Sequence, residues 1–229
     1  MIDAVRAAIS FLTTIPVGGD VENLRKNLWL FPYTAILIGL IISIPHLVRV
    51  YADVRFLAIV FYIAVEGINH IDGLADFGDA LFAPKSRKKE ALKDLKTGAG
   101  GVAVVAIYLI LLYELLMRAN VWEIILSQVL AKFSMLLIMF SSTPSWEGMA
   151  AFMMEKISAR DMIIGFLPVL AFSYILGWMS AAAFFVSLII TFALKKYSER
   201  HLGGVNGDII GSANCLTFVS ALTVFHVIL

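Results

Sequence analysis

At 229 residues, 60% hydrophobic and 15% charged, with a mean hydropathy of +0.89, the chain is far from a soluble domain, which runs to about 45–50% apolar and about 25% charged. That excludes a water-soluble globular fold, and long apolar runs in place of alternating pieces of about ten residues favour membrane helices over a β-barrel. A net charge of +1 excludes nucleic acid as the main partner, and a lone cysteine, Cys215, excludes an intrachain disulfide.

Residues 4–15 form a predicted short amphipathic or half-inserted helix, closed by Pro16 and the Gly18-Gly19 pair. With the loop up to residue 28 it precedes the first span, and no cleavable signal peptide is evident. Hydropathy then predicts seven spans, near the length of about 17–25 residues that crosses a bilayer. They cover residues 29–48, 56–71, 102–117, 121–141, 162–177, 179–194 and 209–229, with only Trp178 between the fifth and sixth.

The loops orient these spans. Fourteen basic residues fall on the side shared by the N-terminus and the loops after spans two, four and six; Arg49, Arg55 and Arg118 fall on the other. Short loops rich in Lys and Arg stay cytoplasmic. The expected architecture is an all-α integral membrane protein, a polytopic bundle of about seven transmembrane helices. It forms a single membrane-embedded domain over residues 1–229, multi-pass in the cell membrane, with every chemical motif facing the cytoplasm.

The second span runs into Glu66-Gly-Ile-Asn69-His70-Ile-Asp72-Gly-Leu-Ala-Asp76-Phe-Gly-Asp79. On a helix, Asp72, Asp76 and Asp79 recur at spacings of four and three and continue a stripe from Glu66 and Asn69. Like charges so placed repel, so a cation belongs among them, and oxygen ligands of this kind suit Mg²⁺ or Mn²⁺. Carboxylates at a membrane edge are usually functional.

A basic cluster from Lys85 to Lys96 follows, then Asp94, Thr97, Gly98, Gly100 and Gly101 at the start of the third span. The cluster reads either as a positive-inside signal or as a collector of polyanionic substrate. The glycines read either as an ordinary helix-start turn or as a backbone cradle for phosphate. A second glycine loop, Arg200-His201-Leu-Gly203-Gly204-Val-Asn206-Gly207-Asp208, leads into the last span. There Asp208 is placed to cap the helix or to join a site, while Gly211, Ser212 and Asn214 should face inward. Lys132, mid-span, costs about 2.5–3.5 kcal/mol to insert. It should therefore face the bundle interior and pair with a carboxylate or a substrate phosphate, unless a shifted boundary lets it snorkel. His70 and His201 flank the motifs, placed to bind or orient phosphate; His46 and His226 read as structural or interfacial, and Cys215 as a small core residue.

These motifs resemble the cobalamin-5′-phosphate synthase family (adenosylcobinamide-GDP ribazoletransferase), which acts late in vitamin B12 assembly. The family's His-Leu-Asp-Gly-Leu-Ala-Asp signature is similar to His70-Ile-Asp72-Gly-Leu-Ala-Asp76. Its Gly-Gly-Leu-Thr-Gly-Asp signature is similar to Gly203-Gly204-Val-Asn206-Gly207-Asp208, and Phe11-Leu-Thr13-Thr14-Ile15-Pro16 fits its usual opening. Asp94 to Gly101 approximates the family's Asp, Gly, Gly stretch, but residues 94–98 depart from its Asp-Ser-Arg-Ile-Gly, which moves a basic contact to Lys96. Asn206 stands for threonine, Asn214 near a common glutamate and Lys132 for arginine.

The resemblance implies a metal-dependent phosphotransferase, with adenosylcobinamide-GDP and α-ribazole or its 5′-phosphate as partners alongside the lipid bilayer, and GMP as leaving group. An oligomer is compatible with it. It implies Asp72, Asp76, Asp94 and Asp208 as ligands of Mg²⁺ or Mn²⁺, Asp79 as ligand or general base, and His70 and Glu66 as supporting catalytic groups. Lys132, Arg200, Gly98, Gly203, Gly204, Asn206 and Gly207 would hold substrate. Two other readings compete. A CDP-alcohol phosphotransferase acting on lipid headgroups would carry Asp-Gly-x-x-Ala-Arg, whereas Asp76 follows Asp72-Gly-Leu-Ala here. An ion-coupled transporter would carry an inverted repeat.

Overall fold

The computed structural model describes residues 1–49, 51–94 and 96–227. Its helices are α1 (Ile2–Leu12), α2 (Val21–Arg25), α3 (Leu30–Ile42), α4 (Ile44–Leu47), α5 (Ala58–Glu66), α6 (Asn69–Phe82) and α7 (Lys88–Ala91). They continue with α8 (Ala99–Arg118), α9 (Val121–Ser141), α10 (Met149–Met154), α11 (Ala159–Leu176), α12 (Trp178–His201) and α13 (Gly207–Val227). Among the described residues the only β pairing is an isolated bridge between Pro144 and Val205. The protein is a polytopic helical membrane protein.

Among the described residues five helices, α8, α9, α11, α12 and α13, are long and apolar enough to cross a bilayer. A sixth span arises if α5 and α6 count as one despite a 93° bend between them. The first expected span, residues 29–48, falls short. It contains the 13-residue α3, which ends before Ser43, and the one-turn α4, which begins at Ile44 with Pro45 in its first turn. Thirteen residues rise about 20 Å, against about 30 Å of hydrocarbon. Residues 228 and 229 of the last expected span lie outside the described residues. The fifth and sixth spans part at Gly177, whose φ of +69° ends α11 and starts α12.

Burial separates the central helices from the lipid-facing ones. In α9 and α13, 83% and 78% of the apolar window is buried, against 22–28% in α8, α11 and α12. The central pair therefore carries the buried polar residues Gln128, Lys132, Ser134, Ser212, Asn214 and Thr217. Outer helices present Ile107, Ile110, Ile163, Leu167, Phe185 and Ile189 outward. This is the arrangement expected when polar side chains cannot face lipid.

Specific side chains fix these positions. Asn120 and Glu123 form a capping box at the start of α9, with Asn120 Oδ1 accepting from Trp122 N at 2.9 Å. Phe166 on α11 meets Phe133 on α9 and Phe184 on α12, with centroids 5.4 and 5.3 Å apart. Gly39 lets α3 lie against Ile125 of α9, where an added Cβ would stand 2.8 Å from its Cα. At the end away from the acidic motif, Arg55 beside Asp53 holds that carboxyl down at about 2, and its Nη1 donates to Met117 O near the end of α8 at 3.0 Å.

The bend between α5 and α6 positions the acidic motif. Gly67 adopts φ +74°, a conformation L side chains rarely take, and the last carbonyls of α5 find partners on the N-terminal segment. Thr14 Oγ1 donates to Ala64 O at 2.5 Å and Thr14 N donates to Val65 O at 2.8 Å. The predicted amphipathic helix is α1, with Ala4, Ala7, Ala8 and Leu12 buried against the bundle.

Candidate active site

Close helix crossing brings the two sequence motifs together. A Cβ on Gly73 of α6 would stand 2.8 Å from Asp208 Cα, and one on Gly211 of α13 would stand 3.1 Å from His70 Cα. Ser212 Oγ bonds across this crossing to Gly73 O at 3.0 Å. Small residues on both helices thus place the first turn of α13 beside the carboxylates of α6.

The result is a cleft of about 440 Å³ lined by Asp72, Asp76, Asp94 and Asp208, with Lys93, Thr97, Trp146, Asn206 and Gly207 completing it. The charged neighbours acting on Asp76 are Asp208, Asp72 and Asp79, all of its own sign. Among the described residues no ion pair reaches Asp72, Asp76 or Asp208. Three helix-borne carboxylates without basic partners are hard oxygen donors, and that donor set fits Mg²⁺ or Mn²⁺. As the side chains stand, no three His, Cys, Asp or Glu groups among the described residues form a coordination shell.

Asn206, rather than Asp208, caps α13. Its Oδ1 accepts from Ile209 N at 3.2 Å, and its Nδ2 donates to Asp208 Oδ2 at 2.6 Å. Capping by the amide leaves Asp208 turned to the cleft with one oxygen oriented. Gly207 is exposed, and a Cβ there would meet nothing within 4 Å.

Asp79 lies on α6 but has another occupation. Its carboxylate accepts from Gly98 N at 2.6 Å and from Gly101 N at 2.8 Å. The glycine-rich start of α8 therefore does bind an anion, and the anion is Asp79. Gly100 and Gly101 serve the same contact, since a Cβ on Gly101 would stand 2.7 Å from Ala75 O. The Gly98 amide expected at a phosphate is thus taken up by Asp79 in this structure, and both oxygens of Asp79 are engaged.

Glu66 closes α5, ahead of the bend, and so leaves the stripe on which the sequence placed it. It is buried with Lys132, whose Nζ donates to Glu66 Oε1 at 2.5 Å and to Asn214 Oδ1 at 2.7 Å. Asn214 Nδ2 donates to the same Glu66 oxygen at 2.5 Å. His70 Nδ1 stands 2.9 Å from it as well. The inward pairing expected of Lys132 is present: it is fully buried and its charge is matched internally by Glu66.

The second glycine loop divides. Gly204, at φ +142°, approaches the backbone of Thr143, Pro144 and Ser145 rather than the cleft. Val205 N donates to Thr143 O, and Ser145 N donates to Val205 O, each at 2.9 Å. Gly203 sits against Lys89, and exposed Arg200 lines none of the clefts described here. The basic cluster divides too. Lys93 enters the carboxylate cleft, Arg87 and Lys96 line a neighbouring one with Asp79, and Lys88 donates to Ala80 O and Leu81 O at the end of α6. Individual residues that sequence reasoning missed are Lys93 and Trp146, whose ammonium and ring lie 4.5 Å apart at the cleft wall. A tryptophan in the short polar loop after α9 was the available signal.

A second cavity, of about 520 Å³, also reaches Asp72 and Asp208. Phe11, Phe31 and several methionines line it, with Asn69 and His70 at the polar end. The two cavities share Asp72, Gly207 and Asp208.

Residues 4–226 match the cobalamin-5-phosphate synthase family. The chain belongs to this family. An adenosylcobinamide-GDP ribazoletransferase of Archaeoglobus fulgidus is 65% identical over 223 residues, 97% of this chain and 96% of the relative. A second protein of that name from the same organism is 46% identical over 225 residues, 98% of this chain and 97% of the relative. One from Pyrococcus abyssi is 34% identical over 225 residues, 96% of each. No solved structure matches the chain. Membership of the cobalamin-5-phosphate synthase family upholds the resemblance read from the motifs.

Proposed function

We infer that the chain is an adenosylcobinamide-GDP ribazoletransferase of the late cobalamin pathway. Similarity at 65% identity over 97% of the chain carries this reading, and the shared edge of the two cavities supplies a place for the chemistry. A ribose hydroxyl of α-ribazole, or of its 5′-phosphate, forms an O–P bond to the phosphorus attached to cobinamide. The P–O bond to GMP breaks, GMP leaves with the electron pair, and the hydroxyl proton passes to a base.

Asp72, Asp76 and Asp208 would hold a divalent cation, with Asp94 within the same cleft. Such a cation supplies charge neutralisation for the attacked diphosphate and its leaving group. Lys93 offers the phosphates a positive charge. His70 is the group assigned to take the proton, its Nδ1 standing 2.9 Å from Glu66 Oε1 beside the carboxylate edge. Asp79 holds the start of α8, and Lys132 with Asn214 fixes Glu66. The basic-residue asymmetry sets this cleft toward the cytoplasm, where nucleotides are available.

Protein purified in detergent and supplied with Mg²⁺ should release GMP only when adenosylcobinamide-GDP and α-ribazole are both present. Release of CMP from a CDP-alcohol, with no GMP from the corrinoid pair, would favour the lipid-headgroup transferase instead.

A further inference from the structure

The methionine- and phenylalanine-lined cavity is not explained by phosphate chemistry, and the ribazoletransferase reading leaves its occupant open. Phe11 and Phe31 come from α1 and α3, Met135 and Met139 from α9, and Ala150 and Met153 from α10. Four elements distant in sequence thus build one apolar chamber. Flat aromatic ligands suit such walls, since phenyl rings pack on their faces or edges and thioethers make favourable contacts with rings. At one end the lining turns polar, with Asn69, His70, Asp72 and Asp208.

The occupant must satisfy both ends. A volume of about 520 Å³ encloses a fused two-ring base with its ribose, but not a corrin with its peripheral amides. A guanine nucleotide would carry its phosphates away from Lys93, which lies in the other cleft. We propose that this cavity is the nucleoside acceptor subsite, holding the benzimidazole of α-ribazole among Phe11, Phe31 and Met139 and presenting the ribose to His70 and Asp72. The GMP end of the corrinoid then lies in the other cleft, along Lys93 and Trp146, and the two substrates meet at Asp72 and Asp208. This rests on the ribazoletransferase reading and adds to it which cavity takes which substrate.

The test fills the chamber. Ala150 is half-buried on the cavity wall and Met149 is exposed beside it. Ala150→Phe should raise KM for α-ribazole about tenfold or more, because one methylene alone is worth about 10–200-fold in such a pocket. KM for adenosylcobinamide-GDP should change by less than about twofold. The α-riboside of unmethylated benzimidazole should suffer less than α-ribazole itself. Met149→Trp, at an exposed position that places no load on the fold, should shift the same KM in the same direction.

Wild-type protein that releases no GMP with both substrates refutes the ribazoletransferase reading. Wild-type turnover with an unchanged α-ribazole KM in both variants refutes the cavity assignment alone, as would hold if a lipid chain filled the chamber. A rise confined to the KM for the corrinoid reverses the assignment and overturns it equally.

Discussion

Asp72→Asn should lower GMP release by about 10³-fold or more, because loss of one carboxylate from a charge-stabilising site removes several kcal/mol from the transition state. Asp72 is exposed on α6, borders both cavities, and has no ion-pair partner among the described residues. Its side chain holds no helix together, so the thermal midpoint in detergent should stay within a few degrees of wild type. The isosteric amide also relieves repulsion within the cluster, which favours a slight gain in stability. Near-normal GMP release with limiting Mg²⁺ would show that Asp72 holds neither metal nor substrate. A large loss of folded protein would show that its role is structural.

The opposite balance is expected for Lys132→Met. Removing one partner of a buried ion pair leaves the other charge unmatched and costs about 3–5 kcal/mol. Glu66 would keep only Asn214 and His70, at 2.5 and 2.9 Å. The variant should therefore be recovered in low yield with a sharply lower thermal midpoint. Combining it with Glu66→Gln should restore much of that stability, because no bare charge remains in the core. Were Lys132 instead a phosphate contact, the single variant would fold normally and show a raised KM for the corrinoid. The midpoints of the single and double variants, measured in one detergent, separate these outcomes.

What could be read from the chain divides along physical lines. The span at residues 121–141 coincides with α9 because its apolar run is bounded by Asn120 and Glu123, a local capping signal. Lys132 was legible as an inward residue because a charge in hydrocarbon is too costly to leave unpaired. The acidic and second glycine motifs could be placed together because both carry polar residues at the same edge of the membrane. Other features depend on groups far apart in sequence. Gly67 bends the chain only because Thr14, some fifty positions earlier, satisfies the carbonyls that the bend exposes. Asp79 is legible as a member of the acidic stripe, whereas its engagement by the amides of Gly98 and Gly101 is not. Gly204 signals close approach of some backbone, but nothing local says that the backbone is residues 143–145 rather than a phosphate. Trp146 and Lys93 gain meaning only when the loop after α9 folds over the carboxylates.

The carboxylate edge shared by the two cavities should transfer a cobinamide phosphate to a ribose hydroxyl. Mass spectrometry of the corrinoid after incubating the protein with adenosylcobinamide-GDP, α-ribazole and Mg²⁺ tests it most directly. The expected product carries α-ribazole joined through one phosphate, forms in equal amount with GMP and is lost with Asp208→Asn. A corrinoid that loses GMP without gaining α-ribazole, or an Asp208→Asn protein that forms the product at the wild-type rate, would contradict it.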